Sequence, residues 1–275
     1  MASSIRRTDL LALSNLRHDG RKAHEIRRLR MQLGVVGNTA GGSALLEMGL
    51  TTALATVRGP VACARRSDEL PDRAVVDVTL KVAPFASATD RRTSNPNTDR
   101  RLVEASRWIQ RALEATLLLH LYPRSRIEIV VVLLADDGGR VPAALNAATL
   151  AVLDAGIPVK DFVCACTAGY SVSTNMALVD LNRKEEITSH GGQAPVRLTC
   201  AVLPNRNSIV LTQCENRLSS VTVLESILEA ATEGCQLIAE MMKASVQERA
   251  STLLAARQGS LTLSLALSSS TQEVS

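Results

Sequence analysis

A glycine pair marks the part of the chain best suited to chemistry. Gly138 and Gly139 stand between an apolar run that ends at Leu134 and an alanine-rich run that begins at Ala143, in the segment LADDGGRVPAALNAATLAVLDAGIPVKDFVCACTAGYSV (residues 134–172). The pattern predicts a strand, a glycine turn, a helix, a second turn and a second strand. Free N–H groups and the helix dipole both favour an anion at the N-terminus of a helix. The turn is therefore a candidate phosphate site.

Two arginines occupy the first turn of the helix predicted for residues 99–121. A cation at Arg100 or Arg101 is disfavoured there by the helix dipole, by about 0.3–1 kcal/mol each. A sequence that breaks a local rule without visible gain often does so for function, and an arginine pair beside free N–H groups can hold phosphodiesters. The alternative is that Asp99 neutralises the site and that both arginines are solvated.

A third candidate is the acidic pair that follows the strand predicted for residues 176–181. Glu185 and Glu186 end the segment NRKEE, and carboxylates in such a place can bind a metal or transfer a proton. Two basic residues precede them, and a mixed-charge segment of this kind is more often a solvated loop. Both interpretations stay open on these residues alone.

The cysteines and histidines do not predict a metal site. The chain has six cysteines and four histidines, and no two cysteines have the CxxC spacing typical of zinc ligands. Cys164 and Cys166 are two apart on a predicted strand, so they point to the same face. We expect both to be reduced core residues.

Hydrophobic periodicity predicts the elements that position these candidates. The helix after the glycine turn should begin with Pro142 and end before Gly156 and Pro158. We predict strands at 26–35, 44–48, 51–57, 75–82, 127–134, 161–170, 176–181, 196–203 and 208–213, and helices at 99–121, 143–153 and 220–257. The polar stretch 182–195 is expected to be a loop. This order predicts an α/β fold of mixed sheets with covering helices, in a single domain.

Composition divides the chain and limits its partners. Residues 1–17 are expected to form an N-terminal arm, residues 18–258 the domain, and the Ser/Leu-rich residues 259–275 a disordered tail. The net charge of +4 permits a polyanion partner. The arginines cluster in the N-terminal half, which indicates either a face for an acidic partner or a solvated basic surface, and the sequence alone leaves both open. No apolar run reaches transmembrane length and no signal peptide is visible, so we expect an intracellular protein without a membrane partner.

Five segments resemble a known family. They are HDGRKAHEIRRLRMQLGVV (18–36), GSALLEMGLTTALATVRGP (42–60), LPDRAVVDV (70–78), NAATLAVLDAGIP (146–158) and DFVCAC (161–166). The sequence is similar to the ribonuclease PH family, and within it to core subunits of the eukaryotic exosome, from about residue 18 to residue 257. The run NAATLAVLDAGIPVKDFVCAC is long and specific.

The resemblance implies a ribonuclease PH fold, with six such domains in a ring around a central channel and RNA-binding cap subunits on the ring. Single-stranded RNA passes through the channel with its 3′ end leading. Active members use inorganic phosphate to release nucleoside diphosphates. In most eukaryotic rings this site is inactive, and an associated hydrolytic ribonuclease cuts the RNA. The implied role is ribosomal RNA processing and RNA decay in the nucleus, the nucleolus and the cytoplasm.

The family's phosphate and acidic positions are altered in this chain. Val141 stands where a phosphate-binding arginine is expected, and Arg140 stands where a threonine is expected. Glu186 is at the first carboxylate position, and Gln193 is the residue nearest to the second. The resemblance therefore implies a degenerate site that takes no cofactor. Its phosphate-binding part consists of Gly138, Gly139, Arg140 and Val141, and its catalytic part of Glu186 and Gln193.

The family's RNA-binding arginines are better preserved. Arg100 and Arg101 fall on an arginine pair before the first long helix, and Arg65 and Arg66 lie in a basic loop near the channel entrance. We therefore expect a non-catalytic ring subunit that lines the channel for single-stranded RNA. The alternative is an active phosphate-dependent 3′–5′ exoribonuclease that uses Mg²⁺ and inorganic phosphate, with Arg140 and Glu186 as substitutes for the usual groups.

Overall fold

The computed structural model describes residues 16–37, 40–63, 65, 69–86, 99–171, 176–187 and 196–272, with side chains as far as residue 258. These residues form nine strands, four α-helices and a short 3₁₀ helix at Leu119–Leu121. The strands are β1 (Leu29–Leu33), β2 (Gly42–Met48), β3 (Thr51–Ala62), β4 (Val75–Val82), β5 (Ser125–Ala135), β6 (Cys164–Ser171), β7 (Met176–Val179), β8 (Val196–Leu203) and β9 (Ser208–Glu215). The helices are α1 (Arg100–Thr116), α2 (Arg140–Asp154), α3 (Arg183–Ile187) and α4 (Val221–Gln272).

The strands form two sheets. One has the order β1-β2-β3-β5-β4 and the other has the order β7-β6-β8-β9. The first sheet is mixed, because β4 and β5 are parallel while the remaining pairs are antiparallel. The second sheet is antiparallel throughout. β5 and β6 belong to different sheets, so the chain passes from one sheet to the other through α2.

Helix α2 lies between the two sheets and contacts strands of both. Every residue from Pro142 to Val152 is buried. The alanine-rich sequence is thereby explained, because small side chains let the helix approach two sheets at once. Asn146 fixes the helix on β6, since its side-chain amide donates to the Ala165 carbonyl at 2.9 Å and accepts from the Ala165 N–H at 2.8 Å.

The outer helices complete one core. Helix α1 packs on β4, and α4 packs on β6 and β8. A single cluster of buried apolar residues extends across both sheets and α2. The predicted α/β fold of mixed sheets with covering helices is confirmed.

Two helices differ from their predicted bounds. Helix α1 ends at Thr116 because Leu117 pairs with Val159 in an isolated bridge and the Thr116 carbonyl accepts the Lys160 N–H at 2.8 Å. Helix α4 continues to Gln272, so its predicted end near residue 257 is wrong. Extending an existing helix costs far less than starting one, and no proline interrupts this segment.

The polar segment after β7 begins with the short helix α3, where a loop was predicted. The Glu185 N–H donates to Asn182 Oδ1 at 2.9 Å, and the Asn182 N–H donates to Glu185 Oε2 at 3.0 Å. Each side chain thus satisfies the other residue's backbone group, which is the capping-box arrangement with Asn as the N-cap. The signal, an Asn followed three residues later by a Glu, was present in the sequence.

The cysteines are all free. Cys164 and Cys166 are buried on the face of β6 that meets α4, where their sulfurs approach Met242 and Gly234. Burial raises the pKa of the Cys164 thiol to about 12, so this side chain stays protonated and behaves as a core residue, as predicted. Within the described ranges, no helix is both long enough and apolar enough to span a membrane.

Arg17 belongs to the folded domain rather than to the predicted arm. Its side chain is fully buried and donates to Glu185 Oε1 at 2.8 Å and to the Asp180 carbonyl at 2.9 Å. The Glu185 carboxylate is itself 2% exposed. This buried ion pair attaches the beginning of the domain to α3. Residues 1–15 lie outside the described part of the chain.

We expect Arg17→Met to lower the free energy of unfolding by about 3–5 kcal/mol, because it leaves the buried Glu185 without its hydrogen-bonded cation, with only Arg21 left among the described residues, at 3.9 Å. Urea unfolding of the full-length chain measures this change. Arg30→Met is the matched control, since Arg30 and Glu47 form an exposed pair at 3.8 Å and such pairs contribute about 0–1 kcal/mol. Equal losses in the two variants would contradict the argument from burial.

Candidate functional site

A cavity of about 670 Å³ opens between α1, the glycine turn, α3 and the strands β8 and β9. Five residues that the sequence singled out line it: Arg101, Gly139, Arg140, Val141 and Glu186. The structure thus brings the predicted phosphate site together with one of the predicted RNA-binding arginines. A cavity of this size can enclose a small polar ligand, because such sites typically measure about 300–1,000 Å³.

The glycine turn has a conformation that requires glycine. Gly138 has a φ of 89° and Gly139 has a φ of 64°, a region that side chains with a Cβ rarely adopt. A Cβ on Gly138 would also lie 2.7 Å from the backbone nitrogen of Arg183. That N–H donates to the Asp137 carbonyl at 2.8 Å. The first residue of α3 therefore lies directly against the turn.

The guanidinium of Arg27 fixes the glycine turn. It binds both carboxylate oxygens of Asp180, at 2.9 and 2.7 Å, and donates to the Asp137 carbonyl at 3.0 Å. The Thr51 hydroxyl donates to the Gly138 carbonyl at 2.8 Å. Burial alone would lower the pKa of Arg27, but the hydrogen bonds and charge of Asp180 outweigh it and raise that pKa. Arg27 is therefore a permanent cation that holds the turn by its carbonyl groups.

Asp136 is a buried carboxylate between two arginines, and it comes two residues after the strand predicted for residues 127–134. Its side chain is 1% exposed. Arg140 Nε donates to Asp136 Oδ2 at 2.7 Å, and Arg183 Nη1 donates to the same oxygen at 2.7 Å. Arg140, the residue that could have replaced the phosphate-binding arginine, is thus bound to a carboxylate of the protein itself.

The Glu186 carboxylate lies at the N-terminus of α2, where an external anion would bind. Its Oε1 accepts the Gly139 N–H at 3.0 Å, and its Oε2 lies 3.0 Å from Arg197 Nη1. Burial raises the pKa of Glu186 above its ordinary value, although Arg197 and the Gly139 N–H act in the opposite direction. The protein's own carboxylate therefore uses one of the N–H groups that made this turn a candidate phosphate site.

A polar wall on β8 and β9 completes the cavity, and the sequence analysis missed it. Arg197 is paired in register with Glu215, and Thr199 is paired with Gln213. All four residues line the cavity, and the side chains of Arg197 and Glu215 form an ion pair. The sequence contained a signal, because polar residues alternate with apolar ones at the beginning of β8, at Arg197 and Thr199. Their partners could not be chosen without the register of the two strands.

The charged side chains that line the cavity cancel. Four arginines (Arg101, Arg140, Arg183, Arg197) face four carboxylates (Glu104, Asp136, Glu186, Glu215). Asp136, Glu186 and Glu215 are each paired with arginine, whereas a divalent ion such as Mg²⁺ needs carboxylate oxygens of its own. Among the described residues, no group of three potential ligands is arranged to hold a metal ion. The residues of this cavity therefore do not fit a Mg²⁺ ion.

The predicted RNA-binding arginines do not form one group. Arg101 lines the cavity, whereas the Arg100 side chain is 91% exposed and pairs with Glu104 at 2.9 Å. Arg65 is exposed and does not line the cavity. Two predicted site residues lie outside the part of the chain that the structure describes: Arg66 and Gln193.

Two domains of one sequence family match most of the fold. Domain 1 of the 3′ exoribonuclease family, RNase PH, matches residues 25–158, and domain 2 of that family matches residues 161–234. The first match contains the five-stranded sheet with α1 and α2, and the second contains the four-stranded sheet, α3 and the beginning of α4. The two matched domains share one apolar core.

Relatives and solved structures agree with this assignment. The human protein "Exosome complex component RRP41" is 42% identical over 241 residues, which are 87% of this chain and 94% of the human one. The Thermococcus kodakarensis "Exosome complex component Rrp41" is 39% identical over 233 residues, 85% of this chain and 89% of its own.

Two solved structures share the fold. Rice (Oryza sativa) Rrp46 has a TM-score of 0.69 at 23% identity, with 84% of this chain and 100% of that chain covered. An Archaeoglobus fulgidus exosome with RNA bound to the active site has a TM-score of 0.69 at 24% identity, with 83% and 93% covered. The resemblance observed in the sequence is thus confirmed, and the chain belongs to the RNase PH family of 3′ exoribonucleases.

Proposed function

We propose that this chain is a core subunit of an RNA exosome ring, and that it lines the channel for single-stranded RNA without cutting it. The names of the mouse and human relatives support the first part. The Archaeoglobus fulgidus exosome, which shares the fold, has RNA bound to its active site. The subunit would act in 3′–5′ RNA processing and degradation, including ribosomal RNA processing and mRNA decay.

The observation that carries the non-catalytic part is the hydrogen bond from the Gly139 N–H to Glu186 at 3.0 Å. Phosphorolysis requires a site for the attacking phosphate and positive charge to stabilise the crowded phosphate oxygens in the transition state. In this chain a carboxylate already occupies the N-terminus of α2, and Val141 stands where a cation is expected. The formally neutral lining of the cavity supplies no excess positive charge.

Arg101 is the group best able to bind an RNA phosphate here. It is exposed and borders the cavity. The Asp99 side chain accepts the Arg101 N–H at 3.1 Å, so this backbone group is already satisfied and a phosphate would be bound by the guanidinium. Because a guanidinium can bind phosphate through two parallel N–H donors, RNA contact can persist where cleavage chemistry is absent.

The proposal includes partners and locations that follow from the resemblance. The chain would join other ribonuclease PH-type subunits in a six-membered ring that carries RNA-binding cap subunits. An associated hydrolytic ribonuclease would cut the RNA that passes through. The complex would work in the nucleus and nucleolus and also in the cytoplasm.

One observation favours a second candidate, an active phosphate-dependent 3′–5′ exoribonuclease. Glu186 has a raised pKa because of burial and lies in a cavity lined by four arginines. A carboxyl with a raised pKa in a cavity is a candidate general acid. This activity would require phosphate to displace Glu186 from the Gly139 N–H.

We expect a reconstituted ring that contains this subunit to release no nucleoside diphosphates from RNA in the presence of phosphate and Mg²⁺. Chromatography of the products measures the release. Rings in which this subunit carries Glu186→Gln are the control, because any release that they show comes from other subunits. Release that disappears with Glu186→Gln would overturn the proposal and establish the active alternative.

We expect Arg101→Glu to weaken the binding of single-stranded RNA about tenfold or more, because a charged hydrogen bond is lost. The slope of log affinity against log salt concentration should fall by about one unit. Fluorescence anisotropy with labelled RNA measures both quantities. Arg111→Glu is the matched control, since Arg111 is exposed on the same helix and does not line the cavity. If both variants bind the RNA with equal affinity, the proposed contact between Arg101 and an RNA phosphate is wrong.

The raised pKa of Glu186 gives a stability prediction. A carboxyl whose pKa is higher in the folded chain binds its proton more tightly there, so its contribution to stability is present at low pH and is lost as the pH rises through the folded pKa. Glu186→Gln should therefore gain stability relative to the wild type as the pH rises above about 4, where an ordinary glutamate begins to ionise. Urea unfolding across this range measures the difference, with Glu240→Gln as an exposed control. If this difference in stability stayed constant or fell as the pH rose, the raised pKa of Glu186 would be contradicted.

A further inference from the structure

One face of α1 is directed at the cavity. Arg101, Glu104, Ala105 and Trp108 all line it, and their offsets of three, four and seven residues define one side of a helix. Arg101 and Trp108 are two turns apart, about 10.5 Å along the helix axis. The cavity thus has a cation and an aromatic ring on a single rigid element.

Trp108 is unusual in this protein. It is the only tryptophan in a chain with 2% aromatic residues. Its side chain is partly buried against the apolar core and also borders the cavity. Small and aliphatic side chains make most of the buried contacts of the helix: Leu102, Ala105, Ile109, Ala112 and Leu113. Packing of α1 therefore does not by itself require a large ring at the edge of a polar cavity.

A second, independent observation indicates a polar ligand. Thr167 is 1% exposed and lines the cavity. Its Oγ1 has no hydrogen-bond partner in the part of the chain that the structure describes. A Cβ on Gly139 would lie 3.4 Å from this oxygen, so the hydroxyl is beside the glycine turn. Buried polar groups are almost always hydrogen-bonded, which makes this hydroxyl a group available to a ligand.

We propose that Trp108 is the stacking surface for an unpaired nucleobase of the RNA, with an RNA phosphate at Arg101 and the Thr167 hydroxyl bonded to the same strand. The inference rests on the proposed RNA-lining function. Every base has a π face, so stacking on an aromatic ring tolerates any sequence, as a channel for many RNAs requires. Glu186 and Arg197 remain paired in this arrangement, because the base adds no charge to the cavity.

The test uses intrinsic fluorescence, because Trp108 is the only tryptophan in the chain. We expect a short oligoriboadenylate to quench the fluorescence of the full-length protein. Trp108→Leu should weaken RNA binding between about 5-fold and about 100-fold, the range of base–aromatic stacking, and Trp108→Phe should restore most of the affinity. Tyr122→Leu is the matched control, since Tyr122 is also a half-buried aromatic residue on the core and lies outside the cavity.

An abasic oligoribonucleotide separates stacking from structure. It should bind the wild type more weakly than the oligoriboadenylate and should be insensitive to Trp108→Leu. An equal loss of affinity for both oligonucleotides would give Trp108 a purely structural role and overturn the inference. So would adenosine monophosphate binding as tightly as the RNA, because the site would then belong to a free nucleotide.

The failure of this inference is distinguishable from failure of the proposed function. RNA binding that depends on Arg101 but neither quenches Trp108 nor responds to Trp108→Leu would overturn the inference alone. A full-length chain that binds no RNA, alone or in its ring, would overturn both. Circular dichroism checks that the Trp108→Leu variant is folded. If it is unfolded, the affinity of the Trp108→Phe variant still tests the inference.

Discussion

The site depends on the ion pair between Arg27 and Asp180. Asp180 follows β7 in one sheet, and Arg27 precedes β1 in the other. The same guanidinium binds carbonyl groups of the glycine turn, so a single side chain joins the two sheets and the beginning of α2. A buried pair is sustained only when its remaining donors and acceptors are also satisfied, and the turn carbonyls and Thr51 meet this requirement. The conformation of the turn is thus a property of the fold.

A fixed turn then determines how the other charges are arranged. Its N–H group must have an acceptor, and Glu186 provides one because α3 begins against Gly138. Arg197 of β8 forms an ion pair with Glu186, and Glu215 of β9 forms an ion pair with Arg197. Each of these charges inside the cavity is therefore paired with an opposite charge, whereas Arg101 at the edge of the cavity remains exposed. The charged side chains that line the cavity thus carry no net formal charge.

Local features of the fold could be predicted from the sequence, whereas contacts between distant residues could not. β4 has its predicted bounds because it alternates apolar and polar residues, and β8 has its predicted bounds because it is a short, mostly apolar run between polar segments. Helix α2 was evident from its alanines and flanking turns. The partnership of Arg17 with Glu185 spans 168 residues, and nothing in either segment specifies the other. The resemblance located Gly139 and Glu186, but only the structure showed that they are bonded to each other. Thr167 and Trp108 carried no pattern that the sequence alone could distinguish from core residues.

The Glu186 carboxylate also means that the glycine turn does not need an anion from solution. A protein that leaves an anion site open gains stability from the anion by mass action, and its folding then follows the concentration of that anion. Here the anion is covalently part of the chain, so its effective concentration never changes. The Gly139 N–H is therefore satisfied by the chain itself, and this contact does not depend on a supply of phosphate.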